Sequence, residues 1–379
     1  MRINTSRIQR FRNHTDTTRN WAPHINLLLG PNGAGKTNII DAIHLLCMSR
    51  GFVTTSDQYL VQKKETDYDL SGDFSGALRS DFSIRCRYKR GDGKSFFVNE
   101  SPLNRLADLI GLVPLVVLSP QDRSLTAEGP TERRSFLDSM ISQLSKTYLA
   151  DLIDFRKIVK QRNMLLSNIS LPQSVLTDYL EPWDAQLVET GSRILLKRRE
   201  HLQKFAIHLE RVYSTMSDIA LKPRFEYKTL DSVSEGDDKA IKTEFRSLLE
   251  TNKSREFERG YTVIGPHRDD LVFFLDDIEL RKFGSQGQHR LFTIALKMAE
   301  LFYISDELDD LPIFLLDDMF GDLDPKKIDI LLTMLDSHPG QTFITAANPN
   351  LFMNYFDLNN EKNSVTYVRD GFVKDSADS

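Results

Sequence analysis

Apolar runs alternate with amphipathic helical repeats along this chain, and that alternation predicts an α/β core. Ile25–Leu29 has the pattern of an apolar strand, and the segment after it places Ile39, Ile43 and Leu46 on one helical face. A second apolar strand, Ile313–Leu316, lies far downstream. Predominantly apolar runs of this length are typical of strands buried on both faces of a sheet.

The pattern between these two strands changes at about residue 130. The first part is strand-rich, and Phe82–Lys89 and Ser95–Val98 predict a hairpin around a glycine-containing turn. Long amphipathic helices are predicted from 131 to 255. Because proline lacks a backbone N–H, Pro172 and Pro182 are expected to break this helical region into pieces.

A glycine-rich loop connects the first apolar strand to its helix. It consists of Gly30, Pro31, Asn32, Gly33, Ala34, Gly35, Lys36 and Thr37. This order matches the phosphate-loop pattern, in which backbone N–H groups and the lysine bind phosphates and the threonine hydroxyl binds Mg²⁺. A chance glycine turn can also match, but the strand before the loop and the helix after it favour nucleotide binding.

The second apolar strand ends in two carboxylates, Asp317 and Asp318. Beside a phosphate loop, the first would hold Mg²⁺ through water, and the second would orient or deprotonate the attacking water. The alternative, a core strand that ends in an acidic turn, is common where no phosphate loop accompanies it. Since 280 residues separate Thr37 from Asp317, the helices of 131–255 are predicted to be an insertion.

A Ser-x-Gly-Gln turn, Ser285–Gln288, precedes a further amphipathic helix. Strands are predicted before this turn at Tyr261–Ile264 and Leu271–Leu275. The apolar face of the helix consists of Leu291, Ile294, Ala295, Met298, Ala299 and Phe302. A hydroxyl and backbone N–H groups at a helix N-terminus can bind an anion, or Ser285 can simply cap the helix.

Composition argues against a membrane span and leaves DNA binding open. The longest apolar run, Gly111–Leu118, falls far short of the ~20 residues that cross a bilayer. Without a secretory signal, and with only Cys47 and Cys86, the chain is expected in a reducing cytoplasm. A net charge of −5 opposes general nucleic-acid binding, yet two predicted helices carry basic clusters, which are most often solvated faces. The clusters are Arg156, Lys157, Lys160 and Arg162, and Arg193, Lys197, Arg198, Arg199 and Lys204.

The order of these motifs resembles that of the ABC-type ATPase family, which carries a Walker A loop, a Q-loop, a signature motif, a Walker B strand and a D-loop. The matching positions are Gly30–Thr37, Gln121, Ser285–Gln288, Ile313–Asp318 and Leu323–Asp324. Similarity to the SMC-like members is carried by Phe11–Asn13, Glu132–Asp138, Gly265–Asp270 and Gly284–Gln288. The helical insertion is too short for a long SMC coiled coil.

The resemblance implies an α/β, ABC-type P-loop ATPase head with an inserted helical lid domain. The head would comprise 1–125 and 259–379, and the lid 126–258. Lys36, Gln121, Asp317 and Asp318 would be catalytic, and Thr37, Gln121 and Asp317 would hold Mg²⁺. Besides the phosphate loop, the residues implied to contact ATP are Arg12, Asn13, Ser285, Gln286, Gly287, Gln288 and Asp324.

The resemblance also implies a mechanism of two copies that sandwich two ATP molecules. The partner's Ser285 would contact the γ-phosphate, ATP would form the dimer, and hydrolysis would release it. DNA would bind between head and lid. With the RecO and RecR proteins, the dimer would bring the RecA recombinase to gapped or single-strand-containing DNA in repair, replication and the SOS response.

Two departures from the ABC pattern favour a slow, DNA-stimulated switch over a fast motor. Asp318 stands where a glutamate is usual, and Thr345–Ala347 stands where the switch histidine is expected. One alternative is a stand-alone SMC-like ATPase that acts on a protein effector, and another is a protein whose ATP is structural. A transporter ATPase subunit is a further alternative, but the altered signature, the absent histidine and the large insertion argue against it.

Overall fold

The computed structural model describes residues 1–374 except 55, 77–79, 169–171, 218–220, 322, 353 and 359. The strands are β1 Arg2–Phe11, β2 His14–Asn20, β3 Ile25–Leu29, β4 Asp67–Ser75, β5 Phe82–Lys89, β6 Gly93–Val98, β7 Ser101–Pro102, β8 Leu115–Leu118, β9 Pro223–Lys228, β10 Asp270–Leu275, β11 Ile278–Glu279, β12 Ile313–Asp317, β13 Thr342–Ala346, β14 Ser364–Arg369 and β15 Phe372–Lys374. The helices are α1 Lys36–Met48, α2 Ser124–Ala127, α3 Pro130–Leu144, α4 Lys146–Leu166, α5 Gln173–Met216, α6 Asp238–Thr251, α7 Lys253–Arg259, α8 Leu280–Phe283, α9 Gln286–Glu307 and α10 Pro325–Ser337.

The chain divides into two compact units. The first consists of Met1–Asp122, Thr215–Asp218 and Ile294–Ser379, and the second of Arg123–Ser214 and Ile219–Thr293. The second unit therefore includes β10, β11 and the Ser285 turn, which the sequence assigned to the head at 259–379. The reason is strand pairing, because β10 runs antiparallel to β9, a strand of the inserted region.

Two sheets build the first unit. The order of one is β15–β14–β3–β13–β12–β8, with parallel pairing from β14 to β8, and the order of the other, which is antiparallel, is β2–β1–β4–β5–β6–β7. Helix α1 contacts strands of both sheets, and its residues Ile39–Met48 are all buried. The α/β core and the β5–β6 hairpin are confirmed. Since parallel strands end at the same sheet edge, β3, β12 and β8 bring the phosphate loop, Asp317 and Gln121 to one edge.

Helices α2 to α8 and the antiparallel sheet β11–β10–β9 lie in the second unit. Helix α5 is continuous over 44 residues and contains Pro182. The prediction that Pro182 breaks the helical region was wrong. The proline removes one backbone bond of a long helix, and the Gln186 side chain donates to the Pro182 carbonyl at 3.2 Å.

The predicted strand at Tyr261–Ile264 was also wrong, because these residues form an irregular segment with bends at Tyr261 and Ile264. The Thr262 N–H donates to Asn163 Oδ1 at 2.8 Å, and the Val263 N–H donates to Glu256 Oε1 at 2.8 Å. Backbone donors that bond side chains in this way cannot join a sheet ladder.

Candidate nucleotide-binding site

The phosphate loop has the backbone that its glycines allow. Gly33 and Gly35 adopt φ values of 81° and 113°, in the left-handed region that side chains other than glycine rarely adopt. The Lys36 Nζ donates to the carbonyls of Gly30 at 2.7 Å and Pro31 at 2.9 Å. Burial lowers the pKa of Lys36, while Asp318 and Asp317 oppose that shift. The ammonium therefore lies inside the loop, beside the two carboxylates.

Asp317 joins the two halves of the site. The Thr37 hydroxyl donates to Asp317 Oδ1 at 2.8 Å, and the Thr345 hydroxyl donates to the same atom at 2.7 Å. Burial raises the pKa of Asp317, and the bonds from Thr345 and Thr37 act against it. The structure thus brings together residues that are 280 positions apart in the chain.

Thr345 is a site residue that sequence reasoning missed. It was singled out only because it stands near the place of the absent histidine. Its hydroxyl also accepts the Asp318 N–H at 3.0 Å, and Asp318 has a φ of 45°. One hydroxyl therefore holds the carboxylate of the first aspartate and the backbone of the second. The signal in the sequence was a hydroxyl residue near the end of β13, the strand next to β12.

The Thr37 hydroxyl and the Asp317 carboxylate fit a magnesium ion. Mg²⁺ takes oxygen ligands, and beside nucleotide phosphates it needs only one or two of them from the protein. Among the described residues, no cluster of three or more His, Cys, Asp or Glu side chains could hold a metal alone. Gln121, the third predicted ligand, is exposed in the turn Pro120–Arg123 that follows β8. Its contact with Mg²⁺ stays a prediction.

Asn13 contacts the back of the phosphate loop. Its Nδ2 donates to the Ala34 carbonyl at 3.0 Å, and its Oδ1 accepts from Asn38 Nδ2 at 2.8 Å. A Cβ at Gly35 would lie 2.6 Å from Asn13 Oδ1, so this packing requires glycine. His14 Nε2 lies 3.0 Å from the Gly35 carbonyl. Asn13 and His14 thus position the loop, and a direct contact of Asn13 with ATP stays a prediction.

Arg12 lies beside a buried carboxylate. Its Nη2 is 3.8 Å from Asp41 Oδ2, and burial raises the pKa of Asp41 to about 6. The Asp41 Oδ1 accepts the Phe52 N–H at 2.7 Å, which ties helix α1 to the loop after it. The predicted contact of Arg12 with the nucleotide is not tested by these interactions.

The Ser285 turn, in the second unit, is a reciprocal cap of helix α9. The Gln288 N–H donates to Ser285 Oγ at 3.2 Å, and the Ser285 N–H donates to Gln288 Oε1 at 2.8 Å. All four residues of the turn from Ser285 to Gln288 are half-buried or exposed, and a Cβ at Gly287 would meet no described atom within 4 Å. The cap uses the hydroxyl oxygen as an acceptor, which leaves its proton for an acceptor outside the turn.

Asp324, the predicted D-loop residue, caps helix α10. Its Oδ1 accepts the N–H groups of Lys326 and Lys327, both at 3.1 Å. Gly321 before it is exposed. Asp322, which the sequence places in the same turn, lies outside the described residues.

The two basic clusters are only partly exposed. Arg162 is buried between Asp184 and Glu256, and Arg198 is buried between Asp138 and Asp269. These two residues are therefore not part of a solvated face, because their guanidinium groups are enclosed and paired. Lys160, by contrast, is exposed.

Comparisons with known proteins identify the family. The family model described as the RecF/RecN/SMC N terminal domain matches residues 2–374. The DNA replication and repair protein RecF of Salinibacter ruber is 40% identical, over 98% of this chain and 91% of its own. The chain belongs to the RecF family. RecF of Chloroherpeton thalassium is 38% identical, over 89% of this chain and 92% of its own.

Solved structures agree with that assignment. Two structures of the recombination mediator protein RecF, with ATP and with ATPrS, have TM-scores of 0.88 and 0.87 at 28% identity, and each covers 99% of this chain. They cover 99% and 98% of their own chains. An SMC head at 13% identity, with a TM-score of 0.57, shares the fold. The ABC-type head fold is confirmed, and the chain is a RecF-type ATPase of DNA replication and repair. Among the described helices, none has the length and apolar character to cross a bilayer.

Proposed function

We propose that this RecF-type chain is a slow, DNA-stimulated ATPase switch of the cytoplasm. It takes ATP and Mg²⁺, dimerises on ATP, and in that state holds gapped or single-strand-containing DNA. The observation that carries the proposal is the position of Asp317, which the hydroxyls of Thr37 and Thr345 hold in place at the edge of the sheet where the phosphate loop lies.

Each residue of the site has a separate chemical role. Lys36 and the loop N–H groups bind the phosphates, and Thr37 and Asp317 hold Mg²⁺. When bound, Mg²⁺ supplies neutralisation of the phosphate charge. Asp318 orients the attacking water, and because its carboxylate is one methylene shorter than a glutamate, slow turnover is expected.

The exposed Ser285 turn is the surface for the second copy. In the closed dimer its hydroxyl and N–H groups meet the γ-phosphate bound by the partner, so neither copy completes a site alone. The dimer then acts with RecO and RecR to bring RecA to gapped DNA and to support the SOS response. Because the second copy adds contacts to the bound ATP, ATP binds the dimer more tightly than the monomer, and dimerisation therefore depends on ATP concentration.

Sedimentation of the purified chain tests this proposal. We would measure it with and without ATP and gapped DNA, at two salt concentrations, beside the Ser285→Arg and Lys36→Arg variants. ATP is expected to drive dimerisation and DNA retention, and higher salt is expected to weaken retention. Ser285→Arg should stay monomeric, and Lys36→Arg should keep weak ATP binding but lose the dimer.

Ser247→Arg is the matched control, because it adds the same charge at an exposed serine of helix α6. A wild-type chain that binds ATP but stays monomeric and ignores DNA would contradict the proposal. Unchanged hydrolysis and DNA retention in Lys36→Arg would refute the assignment of the phosphate loop.

A further inference from the structure

A small cavity in the second unit has arginine side chains on several of its walls. It measures about 230 Å³ and lies between helices α3, α4 and α5 and the Pro266–His267 turn. Arg134, Arg156 and Arg198 line it together with one carboxylate, Asp138. Phe155 supplies an apolar wall, and Ser135 adds an exposed hydroxyl near the opening. A cavity of this size can take a single phosphate group.

Asp138, the carboxylate of the cavity, already accepts hydrogen bonds from other side chains. Asp138 Oδ1 accepts from Arg198 Nη2 at 2.8 Å and from the Tyr148 hydroxyl at 2.6 Å. Arg198 donates further to Asp269 Oδ2 at 3.0 Å. Arg198 is therefore neutralised by two carboxylates, and Asp138 Oδ1 already accepts two hydrogen bonds, while Asp138 Oδ2 contacts Arg156.

Arg134 is a cation of the cavity for which the described residues provide no ion pair. Its guanidinium donates to the Asp269 carbonyl at 2.7 Å and to the Thr131 hydroxyl at 3.3 Å, and it forms no ion pair within the described part of the chain. The side chain is half-buried, and burial together with Arg198 lowers the pKa of Arg134 despite the nearby carboxylates. A guanidinium carries five N–H donors in a planar fork, so donors remain for a ligand.

Arg156 completes the opening of the cavity. It is 66% exposed, and its contact with Asp138 Oδ2 is long, at 3.3 Å. His267 is neutral at physiological pH because burial lowers its pKa to about 4, so it adds no charge. A half-buried cation without a partner is costly unless an anion binds it.

The geometry points to this cavity as an anchoring subsite for one phosphate of the DNA substrate, bound by the forks of Arg134 and Arg156. This inference rests on the proposed function. A phosphate oxygen pair matches the spacing of a guanidinium fork. Because Arg134 is half-buried, its bonds to a phosphate would be stronger than a surface contact. The subsite positions the nucleic acid and reads no base sequence, since phosphates carry none.

Gapped-DNA affinity with a non-hydrolysable ATP analogue and Mg²⁺, measured over a range of salt, tests the subsite. Arg134→Gln and Arg156→Gln are each expected to weaken binding about tenfold and to make the salt slope shallower by about one unit. Arg246→Gln is the matched control, because it removes an exposed arginine of helix α6 that does not line the cavity. Arg134→Lys should recover part of the affinity, since it restores the charge without the fork.

Thermal unfolding in inorganic phosphate, at constant ionic strength and with the analogue in the nucleotide site, gives a second measurement. Phosphate should stabilise the wild-type chain and Arg246→Gln, but not Arg134→Gln. Equal DNA affinity and equal salt slope in Arg134→Gln and the wild type would overturn the subsite. If the wild-type chain does not bind DNA, both the proposed function and the assignment of the cavity to DNA fail. The phosphate measurement then still shows whether the cavity binds an anion.

Discussion

At the scale of single residues, the Thr345 hydroxyl lies where the two acidic residues of the site meet. It donates to the carboxylate of Asp317 and accepts the N–H of Asp318. We expect Thr345→Val to reduce ATP turnover about 10- to 100-fold, because the pKa of Asp317 rises further and Asp318 loses its backbone anchor. ATP affinity measured without Mg²⁺ should change little. Steady-state hydrolysis and equilibrium nucleotide binding check the two parts separately.

Strand β13 offers a control in a second buried threonine. Thr342 is also buried, but its hydroxyl has no hydrogen-bond partner among the described residues. Thr342→Val therefore removes a hydroxyl without breaking a bond and should leave turnover unchanged. Thr345→Ser should restore most of the activity. Equal loss in both valine variants would mean that Thr345 acts only through packing.

The sequence predicted the contacts of this site that belong to a motif. The phosphate loop, its helix and the Asp317–Asp318 pair follow from short patterns with local causes. Asn13 came from a family resemblance, but its contact with the loop backbone depends on the β1–β2 turn, and Thr345 depends on which strand lies beside β12. Strand order in a sheet has no local signal, so these contacts required the structure.

At the scale of elements, Arg162 connects three parts of the second unit. From helix α4 it donates to Asp184 of α5 at 2.6 Å, to Glu256 of α7 at 2.6 Å, and to the Thr262 hydroxyl at 3.0 Å. Arg162→Met should lower the free energy of unfolding by about 3–5 kcal/mol, because Glu256 is fully buried and would keep an unpaired charge. Urea unfolding of the full chain measures this loss.

The control and the rescue are both on these helices. Lys160→Met, on the exposed side of α4, should change the free energy of unfolding by no more than about 0.5 kcal/mol. The double variant Arg162→Met with Glu256→Met should recover part of the loss, since it removes the buried charge as well. A double variant as unstable as the single one would show that packing, and not the unpaired carboxylate, is responsible.

Pro182 gives a prediction of the opposite sign. It is exposed within helix α5 and takes away one backbone bond. Pro182→Ala should raise the free energy of unfolding by about 1–2 kcal/mol, because the restored bond outweighs the greater entropy of the unfolded chain. Glu181→Ala, at the exposed neighbouring position, is the control and should have little effect. Urea unfolding checks both, and a loss of stability in Pro182→Ala would contradict the expectation.

The sequence overestimated proline as a helix breaker for a physical reason. If local helix propensity alone is considered, the free-energy cost of one proline exceeds the stability that one turn of helix adds. In α5, however, Leu180, Leu187, Val188, Ile194 and Leu195 are buried, and tertiary packing of that face supports the helix on both sides of Pro182. The predicted strand at Tyr261–Ile264 failed similarly, because Asn163 of helix α4 and Glu256 of the preceding helix α7 bind its backbone.

At the scale of the whole molecule, buried histidines make both units sensitive to acid. Burial lowers the pKa of His44, in the first unit, to about 4, and does the same for His267 in the second. Their folded pKa values lie below the unfolded value of about 6.5. Above pH 6.5 the contribution of each neutral histidine to the stability of its unit is fully present. It is lost as the pH falls from 6.5 toward the folded pKa of about 4.

Between pH 7 and pH 5, each histidine should cost about 2 kcal/mol of the free energy of unfolding. His44→Gln and His267→Gln should each remove that histidine's own share of the loss, and His338, whose pKa burial also lowers to about 4, leaves a further acid-dependent loss in the first unit. Asp41 acts in the opposite direction, because its raised pKa of about 6 favours the folded state as the pH falls. Asp41→Asn should therefore make the first unit more sensitive to acid than the wild type.

The two units can be followed separately because the chain has one tryptophan in each, Trp21 in the first and Trp183 in the second. Urea unfolding in Trp21→Phe and Trp183→Phe backgrounds then assigns each pH-dependent loss to its unit. Each histidine acts locally if His44→Gln changes only the unfolding transition that Trp21 reports, and His267→Gln changes only the transition that Trp183 reports. A wild-type chain whose unfolding free energy stays constant from pH 7 to pH 5, with the Asp41→Asn variant equally constant, would show that neither buried histidine remains neutral in the folded protein.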